Sequence, residues 1–275
     1  MALTLNRKID FAIKLLQSIP QDGPIELSYS GGKDSDVILE LAKMSGIPFE
    51  AIYKNTTIDP PGTIAHCKEN GVKIVQPKQT FLEIVKQRGM PNRFRRFCCA
   101  ILKEYKIHDR AIQGIRRDES TKRAERYKEP EYCRTYPKGE KARIYFPILE
   151  WTLEDVKTFI TDRNIKLAPV YYTSNGEIDF TKRLGCIGCP MATDHKRREQ
   201  YKEYPRLLKA LIGAQEEFYR THPDSPSARL FEGDAYRKFA GDLFFDRNPK
   251  EVLGGGLFEM PDAKEFLSSY FNCPL

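Results

Sequence analysis

Ile25-Glu26-Leu27-Ser28-Tyr29-Ser30-Gly31-Gly32-Lys33-Asp34-Ser35 is the stretch on which the reading of this chain turns. Ile25 to Tyr29 reads as a short strand, and the glycine turn follows it at once. Val37, Ile38, Leu39, Leu41, Ala42 and Met44 then carry a helix that stops near Gly46, and Phe49 to Tyr53 reads as a second strand. Strand, glycine-rich turn, helix and strand make a parallel α/β unit. Gly31 and Gly32 permit positive φ and close backbone approach. Successive amides of such a turn, with the helix N-terminus behind it, can point at phosphate oxygens. Ser30 and Ser35 add hydroxyls, Lys33 can neutralise developing phosphate charge, and Asp34 can help hold Mg²⁺. The pattern is not the Gly-x4-Gly-Lys-Ser/Thr loop of the common NTPases. A two-glycine turn that binds nothing is the competing reading, and the strand and helix around it weigh against that.

Working outward, residues 6 to 19 read as an amphipathic helix ended by Pro20. A turn at 59 to 62 precedes a helix with His66 and Cys67. Val72 to Val75 reads as a strand, Phe81 to Val85 as a short helix, and Arg110 to Ile115 and Arg143 to Pro147 as further strands. Residues 120 to 140, polar and broken by Pro130, Pro137 and Gly139, read as an extended or mobile loop near the site. Thr152 caps a helix, with Asp155 as its capping-box partner. Residues 166 to 190 are loop-rich, 196 to 220 form a charged helical stretch, and 221 to 275, with Gly254-Gly255-Gly256, read as irregular. The expected architecture is α/β around a parallel sheet, with a nucleotide domain at 1–195 and a helical and irregular C-terminal extension at 196–275.

The composition suits a globular protein: of 275 residues, 40% are hydrophobic and 30% charged. No run approaches the roughly 18 apolar residues of a membrane span, and the N-terminus lacks the apolar segment of a secretory signal, so a cytoplasmic location without membrane contact is expected. The formal charge is +7. An excess of this sign attracts nucleic acid or a polyanionic nucleotide alike. It gathers at Arg88, Arg93, Arg95 and Arg96, at Arg116, Arg117, Lys122, Arg123 and Arg126, and at Lys196-Arg197-Arg198, where solvated faces are the plain alternative. Seven cysteines in a cytosolic chain point to metal or redox chemistry, not a disulfide scaffold. Cys98-Cys99 and Cys186-x-x-Cys189 can furnish four thiolates for Zn²⁺ or a [4Fe–4S] cluster, between which spacing does not choose. Adjacent cysteines in an extended chain point opposite ways, so Cys98 and Cys99 need a turn or helical start to share a site.

The Ser30 to Ser35 segment resembles the pyrophosphatase (PP) loop of the adenine nucleotide alpha-hydrolase-like superfamily, whose fold is Rossmann-like. Within it the chain is similar to the phosphoadenylyl-sulfate (PAPS) reductase-like family over about residues 25 to 191. The similarity rests on Asn55-Thr56-Thr57, on Gly114-Ile115-Arg116-Arg117-Asp118-Glu119-Ser120, and on Pro147-Ile148-Leu149-Glu150-Trp151-Thr152 with Asp155-Val156. The resemblance implies ATP and Mg²⁺ as ligands, a base held against backbone near Tyr29 and Thr56 beside Asn55, phosphates at the glycine turn, and Arg116, after Gly114, on a phosphate or sulfate. Lys33, Asp34 and Arg116 are then the catalytic candidates. Resemblance to iron–sulfur members assigns Cys98, Cys99, Cys186 and Cys189 to a [4Fe–4S] cluster, with zinc as the lesser occupant, and leaves Cys67, Cys133 and Cys273 without a role.

Two departures separate this chain from the reductases of that family. The loop is complete, with both glycines and Lys33, where reductases carry a degenerate one. The tail reads Asn272-Cys273-Pro274-Leu275 in place of a Glu-Cys-Gly-x-His motif. Both favour an enzyme that cleaves ATP between the α- and β-phosphates in the course of sulfur transfer. The partners open to it are a DNA or tRNA acceptor, a cysteine desulfurase or other sulfur donor, and a second copy in a homo-oligomer. The alternatives are a sulfonucleotide reductase and a cluster-bearing nucleic-acid-binding module.

Overall fold

The computed structural model describes residues 4–136, 139–245 and 262–275, so Pro137 and Gly254 to Gly256 lie outside the described residues. The chain divides into two compact units that do not follow chain order. The first comprises residues 1–55, 59–77 and 102–185, and the second comprises 56–58, 78–101 and 186–275.

The first unit is built on a six-stranded sheet. Its strands are β1 (Ile25–Tyr29), β2 (Glu50–Lys54), β3 (Lys73–Val75), β4 (Arg110–Ile112), β5 (Glu131–Thr135) and β6 (Lys141–Tyr145), in the order β3-β2-β1-β4-β6-β5. All neighbours pair parallel except β5, which runs antiparallel to β6 with Cys133 opposite Arg143. Ile25, Leu27 and Tyr29 of β1 share a core with Ala12 and Leu16 of α1 (Leu5–Gln17), Val37, Ile38 and Leu41 of α2 (Lys33–Ser45), and Cys67 of α3 (Thr63–Glu69). Val156, Phe159 and Ile160, at i, i+3 and i+4 of α7 (Leu153–Asp162), complete it over Trp151. Each such aliphatic side chain contributes roughly 1.5–3 kcal/mol when fully buried. The opposite face of β4 and β6 packs Ala111, Ala142 and Ile144 against Tyr136, Phe146 and Leu149.

The polar stretch expected as a loop at 120 to 140 is structured instead. Ser120 caps the short helix α6 (Thr121–Arg126), accepting from Arg123 N, and β5 follows as an edge strand. An edge strand with alternate residues exposed tolerates the charged sequence Glu-Tyr-Cys-Arg-Thr. This is why polarity misled here. The capping box at α7 is formed as expected, with Thr152 Oγ1 accepting from Asp155 N at 3.2 Å and Asp155 Oδ2 accepting from Thr152 N at 2.7 Å.

The second unit is helical. It holds α4 (Phe81–Arg88), most of α5 (Phe97–Leu102), α8 (Asp194–Glu203), α9 (Pro205–Thr221), α10 (Pro226–Leu230), α11 (Ala235–Phe244) and α12 (Ala263–Tyr270). The charged stretch at 196 to 220 is thus two helices, because Pro205 lacks an N–H and forces Tyr204 out of helical geometry. The irregular reading of 221 to 275 is corrected too: α10, α11 and α12 occupy most of its described residues, and Phe244 of α11 packs on Phe266 and Tyr270 of α12 and on Phe271. Arg197 and Arg198 are not a solvated face. Arg197 is buried and donates to Asp194 Oδ1 and to the Asp242 carbonyl, and Arg198 donates to the Leu243 carbonyl.

Thr152→Ala is expected to lower stability by about 1 kcal/mol through loss of the cap. Urea denaturation followed by circular dichroism measures it, and an unchanged midpoint would mean the cap contributes nothing.

Candidate nucleotide site and cysteine group

Sheet order reverses at β1. The chain runs from β1 outward through β2 to β3, and then places β4 on the other side of β1. In open parallel sheets such a reversal leaves a crevice outside the carboxyl ends of the two strands, and ligands bind there. Ser30 to Ser35 leaves the end of β1, and Gly114 to Arg116 leaves the end of β4. The two segments are in tight apposition: a Cβ on Gly114 would stand 2.8 Å from the Asp34 carbonyl oxygen. Gly31 sits at φ +75°, the left-handed region, with Thr63 Cγ2 only 3.1 Å from where a Cβ would be.

The turn is held from within and from a distant loop. Ser35 N, Asp36 N and Ser35 Oγ all donate to the Gly32 carbonyl, at 2.8, 3.0 and 2.7 Å, and Ser30 Oγ lies 3.2 Å from Ser35 Oγ. The Tyr171 hydroxyl accepts from Lys33 N at 3.1 Å and from Leu184 N at 3.3 Å. Lys33 Nζ donates to the Lys182 carbonyl at 3.3 Å and stands 3.9 Å from Asp34 Oδ2. Arg116 Nε donates to Asp34 Oδ1 at 2.6 Å, and Arg116 Nη1 to Asp118 Oδ2 at 3.1 Å. Asp118 is fixed in turn by Leu153 N at 2.9 Å.

Lys33 and Arg116 are both buried, each 3% exposed. Burial pulls the Lys33 ammonium below its ordinary pKa; Asp34 opposes that and Arg116 adds to it. Burial also lowers Arg123, with Arg183 as the next cause. Guanidinium forks suit planar pairs of oxygens on carboxylate, phosphate or sulfate, and here Asp34 and Asp118 fill Arg116's. A Mg²⁺ ion on Asp34 would therefore share that carboxylate with two cations. Tyr171, Lys182, Arg183 and Leu184 escaped the sequence reading. They reach the loop from nearly 140 residues or more away, and no local pattern marks them.

Tyr29 faces the core. Its hydroxyl donates to Asp36, whose Oδ1 lies 2.9 Å from His66 Nε2, and burial raises the pKa of both Tyr29 and Asp36. Only the Tyr29 backbone is left to meet a ligand. Asn55 closes the ends of β2 and β3, its backbone N donating to the Val75 carbonyl and Nδ2 to Gln76 Oε1. On the opposite sheet face a cavity of about 150 Å³ is lined by Glu26, Ser28, Lys54, Gln113 and Tyr136 among others. Within it Glu26 accepts from Ser28 Oγ at 2.7 Å and pairs with Lys54 at 3.4 Å.

Thr56 and all four candidate cysteine ligands belong to the second unit. Cys98 and Cys99 open α5, the helical start that adjacent ligands require. Cys186 Sγ donates to Thr56 Oγ1 at 3.5 Å. Gly188 at φ +68° turns the Cys186 to Cys189 segment, its N donating to Gln200 Oε1 at 3.0 Å. A Cβ there would strike the Tyr201 hydroxyl at 2.0 Å. The Cys98 thiol is pushed up by its bond with Cys99, by burial, and by charge on Cys99 and Cys186, so those sulfurs act on one another. All four are half-buried thiols outside any disulfide. The donor set suits a soft four-thiolate centre, although no group of three or more His, Cys, Asp or Glu among the described residues is drawn to metal-holding geometry.

Two outcomes follow for the loop. Gly114→Ala forces backbone against backbone at Asp34 and is expected to lower the melting temperature by several degrees and weaken nucleotide binding at least tenfold; wild-type values for both would mean the two segments are not tightly apposed. Because burial depresses Lys33, a bound polyanion restores its proton. Affinity should then fall as pH rises through the alkaline range, with proton uptake in calorimetry using buffers of different ionisation enthalpy; Lys33→Arg should abolish that uptake.

Residues 24–192 match the family described as the phosphoadenosine phosphosulfate reductase domain. An uncharacterized Methanocaldococcus jannaschii protein is 30% identical over 207 residues, 70% of this chain and 48% of that relative, so the chain spans about half its length. Sulfate adenylyltransferase subunit 2 of Shewanella baltica is 28% identical over 229 residues, covering 66% of this chain and 71% of the relative. Among solved structures, phosphoadenylyl-sulfate reductase from Candida auris, a phosphate complex, aligns at TM-score 0.46 with 15% identity over 63% of this chain and 95% of that one. No helix among the described residues is long and apolar enough to cross a membrane. With the family match covering well over half of the residues, on a mainly parallel α/β sheet carrying the PP loop, the chain belongs to the phosphoadenosine phosphosulfate reductase domain family of the adenine nucleotide alpha-hydrolase superfamily.

Proposed function

We propose that this chain is an enzyme that binds an adenine nucleotide at the β1–β4 crevice and acts at the bond joining its α-phosphate to a sulfate or phosphate. The observation that supports this reading is the pair of desolvated cations, Lys33 and Arg116, bridged by Asp34 at the glycine turn. The family match favours a sulfonucleotide, adenylyl sulfate or its 3′-phosphorylated form, as substrate. In that reaction a thiolate attacks the sulfate sulfur and the S–O bond to the α-phosphate breaks. Adenosine monophosphate, or adenosine 3′,5′-bisphosphate from the 3′-phosphorylated form, leaves, and a Cys–S–SO₃⁻ adduct remains. A second thiol then releases sulfite and forms a disulfide. Cys273 is the thiol to test; Cys133, exposed on β5, lines a cavity with Pro20, Asp22 and Arg110 at the amino ends of β1 and β4, away from the crevice.

The complete loop supports a second reading, consistent with relatives named sulfate adenylyltransferase subunit 2. An acceptor oxygen attacks the α-phosphorus of ATP, the bond to the β-phosphate breaks, and pyrophosphate leaves. Lys33, the turn amides and Mg²⁺ at Asp34 would stabilise the departing charge. Sulfur transfer to a DNA or tRNA acceptor would extend this reading, with a sulfur donor displacing AMP. Cys98, Cys99, Cys186 and Cys189 would hold an iron–sulfur cluster, supplying a fixed local charge or an electron, with zinc as the other occupant.

Sulfite release from adenylyl sulfate with a thiol reductant, compared with pyrophosphate release from ATP with sulfate, separates the two readings. Lys33→Ala should cost on the order of 10²–10³ in either rate. If neither nucleotide binds the purified protein, the proposal fails. Anaerobic purification should return iron and acid-labile sulfide that the Cys186→Ala variant loses; one zinc and no iron would overturn the cluster assignment.

A further inference from the structure

Phe94 is 92% exposed, far more than the other exposed large apolar residues of the described chain. It is not on a loose strand. Asn92 Oδ1 accepts from Phe94 N at 2.9 Å and from Arg95 N at 2.8 Å, and Asn92 N closes back on the Arg95 carbonyl at 3.4 Å. That makes a hydrogen-bonded Asx turn with Phe94 at its tip. The turn is also anchored, because Arg93 donates from Nε to the Pro190 carbonyl at 3.1 Å and from Nη2 to the Ala192 carbonyl at 3.2 Å. Met191, between those two acceptors in sequence, is itself 51% exposed. The backbone that carries this aromatic ring is therefore fixed while the ring stands in solvent, with a second apolar side chain on the segment that anchors the turn.

Charge along the segment that carries the tip is of one sign. Between Arg88 and Ile101 the sequence has four arginines and no acidic residue. Arg88, Arg93, Arg95 and Arg96 are all exposed. Arg93 is spent on the anchor and Arg96 reaches Cys99 Sγ at 3.6 Å, whereas the Arg95 guanidinium has no ion pair among the described residues. The other basic groups differ, since Arg116, Arg117, Arg123, Arg197 and Arg198 are engaged within the chain. A lone ring in solvent with an unengaged guanidinium beside it is poorly suited to a protein partner, which would need a broader apolar surface. It is well suited to a nucleic-acid single strand, whose bases stack on an aromatic platform while arginine meets the phosphates.

We infer that the turn 92–96, with Met191 beside it, docks a single-stranded nucleic-acid segment, Phe94 stacking on one base and Arg95 contacting the adjoining phosphate. This surface lies wholly within the second unit and does not rest on the nucleotide chemistry proposed above. The test is fluorescence anisotropy of the full chain with labelled single-stranded RNA and DNA 12-mers, a duplex, and an acidic peptide, without nucleotide. Phe94→Ala should weaken single-strand binding about tenfold and Phe94→Trp should restore it, as expected for a stacking platform. Arg95→Ala should reduce the magnitude of the salt slope by about 0.7, the increment for one phosphate on a single strand. Phe94 contributes no packing, so the circular dichroism and melting temperature of Phe94→Ala should equal wild type. Unchanged affinity of Phe94→Ala, or tighter binding of the acidic peptide or the duplex, would overturn the inference.

Discussion

Asp34 bridging Lys33 and Arg116 is the interaction on which the candidate nucleotide site depends. Two cations buried together are costly unless an anion lies between them, and Asp34 supplies it from the first turn of α2. Because Arg116 follows β4 and Lys33 follows β1, this bridge joins the two strands that flank the reversal in sheet order. Gly114 makes the bridge possible by letting one backbone approach the other. Tyr171, Lys182 and Leu184 finish the enclosure from the far end of the unit. The result is a largely buried floor on which two cations are matched by the carboxylates of Asp34 and Asp118.

Around that floor the polar groups divide by what they can still do. Asp36, His66 and the Tyr29 hydroxyl are committed to one another inside the core, so they set the position of the turn without meeting a ligand. In the second unit, Gly188 against Tyr201 fixes the bend of Cys186 to Cys189, while α5 presents Cys98 and Cys99. Three of these sulfurs already influence one another. The cysteine group is thus supported by a helical scaffold of its own, and the glycine turn by a sheet.

Much of this was legible in the sequence where the signal is local. The apolar run before Ser30, the stop at Gly46 and the Thr152–Asp155 box depend on neighbours a few residues apart, and the structure places them as the pattern indicates. The stretch at 120 to 140 failed because an edge strand and a short exposed helix need few apolar residues, so polarity was mistaken for lack of structure. The region after 221 failed for a different reason. Its helices are short and take their order from packing against one another, which no window of a few residues contains. The basic groups were legible as groups but not by function, since burial alone separates Arg197 from Arg95.

By itself the sequence determined the strand–turn–helix unit, the chemical kinds of group at the glycine turn, and the two cysteine pairs at 98–99 and 186–189, because each is a matter of residue type and short spacing. Only the tertiary structure decided that Asp34 neutralises two cations at once, that Tyr29 turns its side chain away from the ligand crevice, and that the cysteines gather in a unit assembled from three separate stretches of chain. Those outcomes depend on contacts such as Arg116 with Asp34 and His66 with Asp36, between residues tens of positions apart, and such contacts leave no periodic trace in the order of the amino acids.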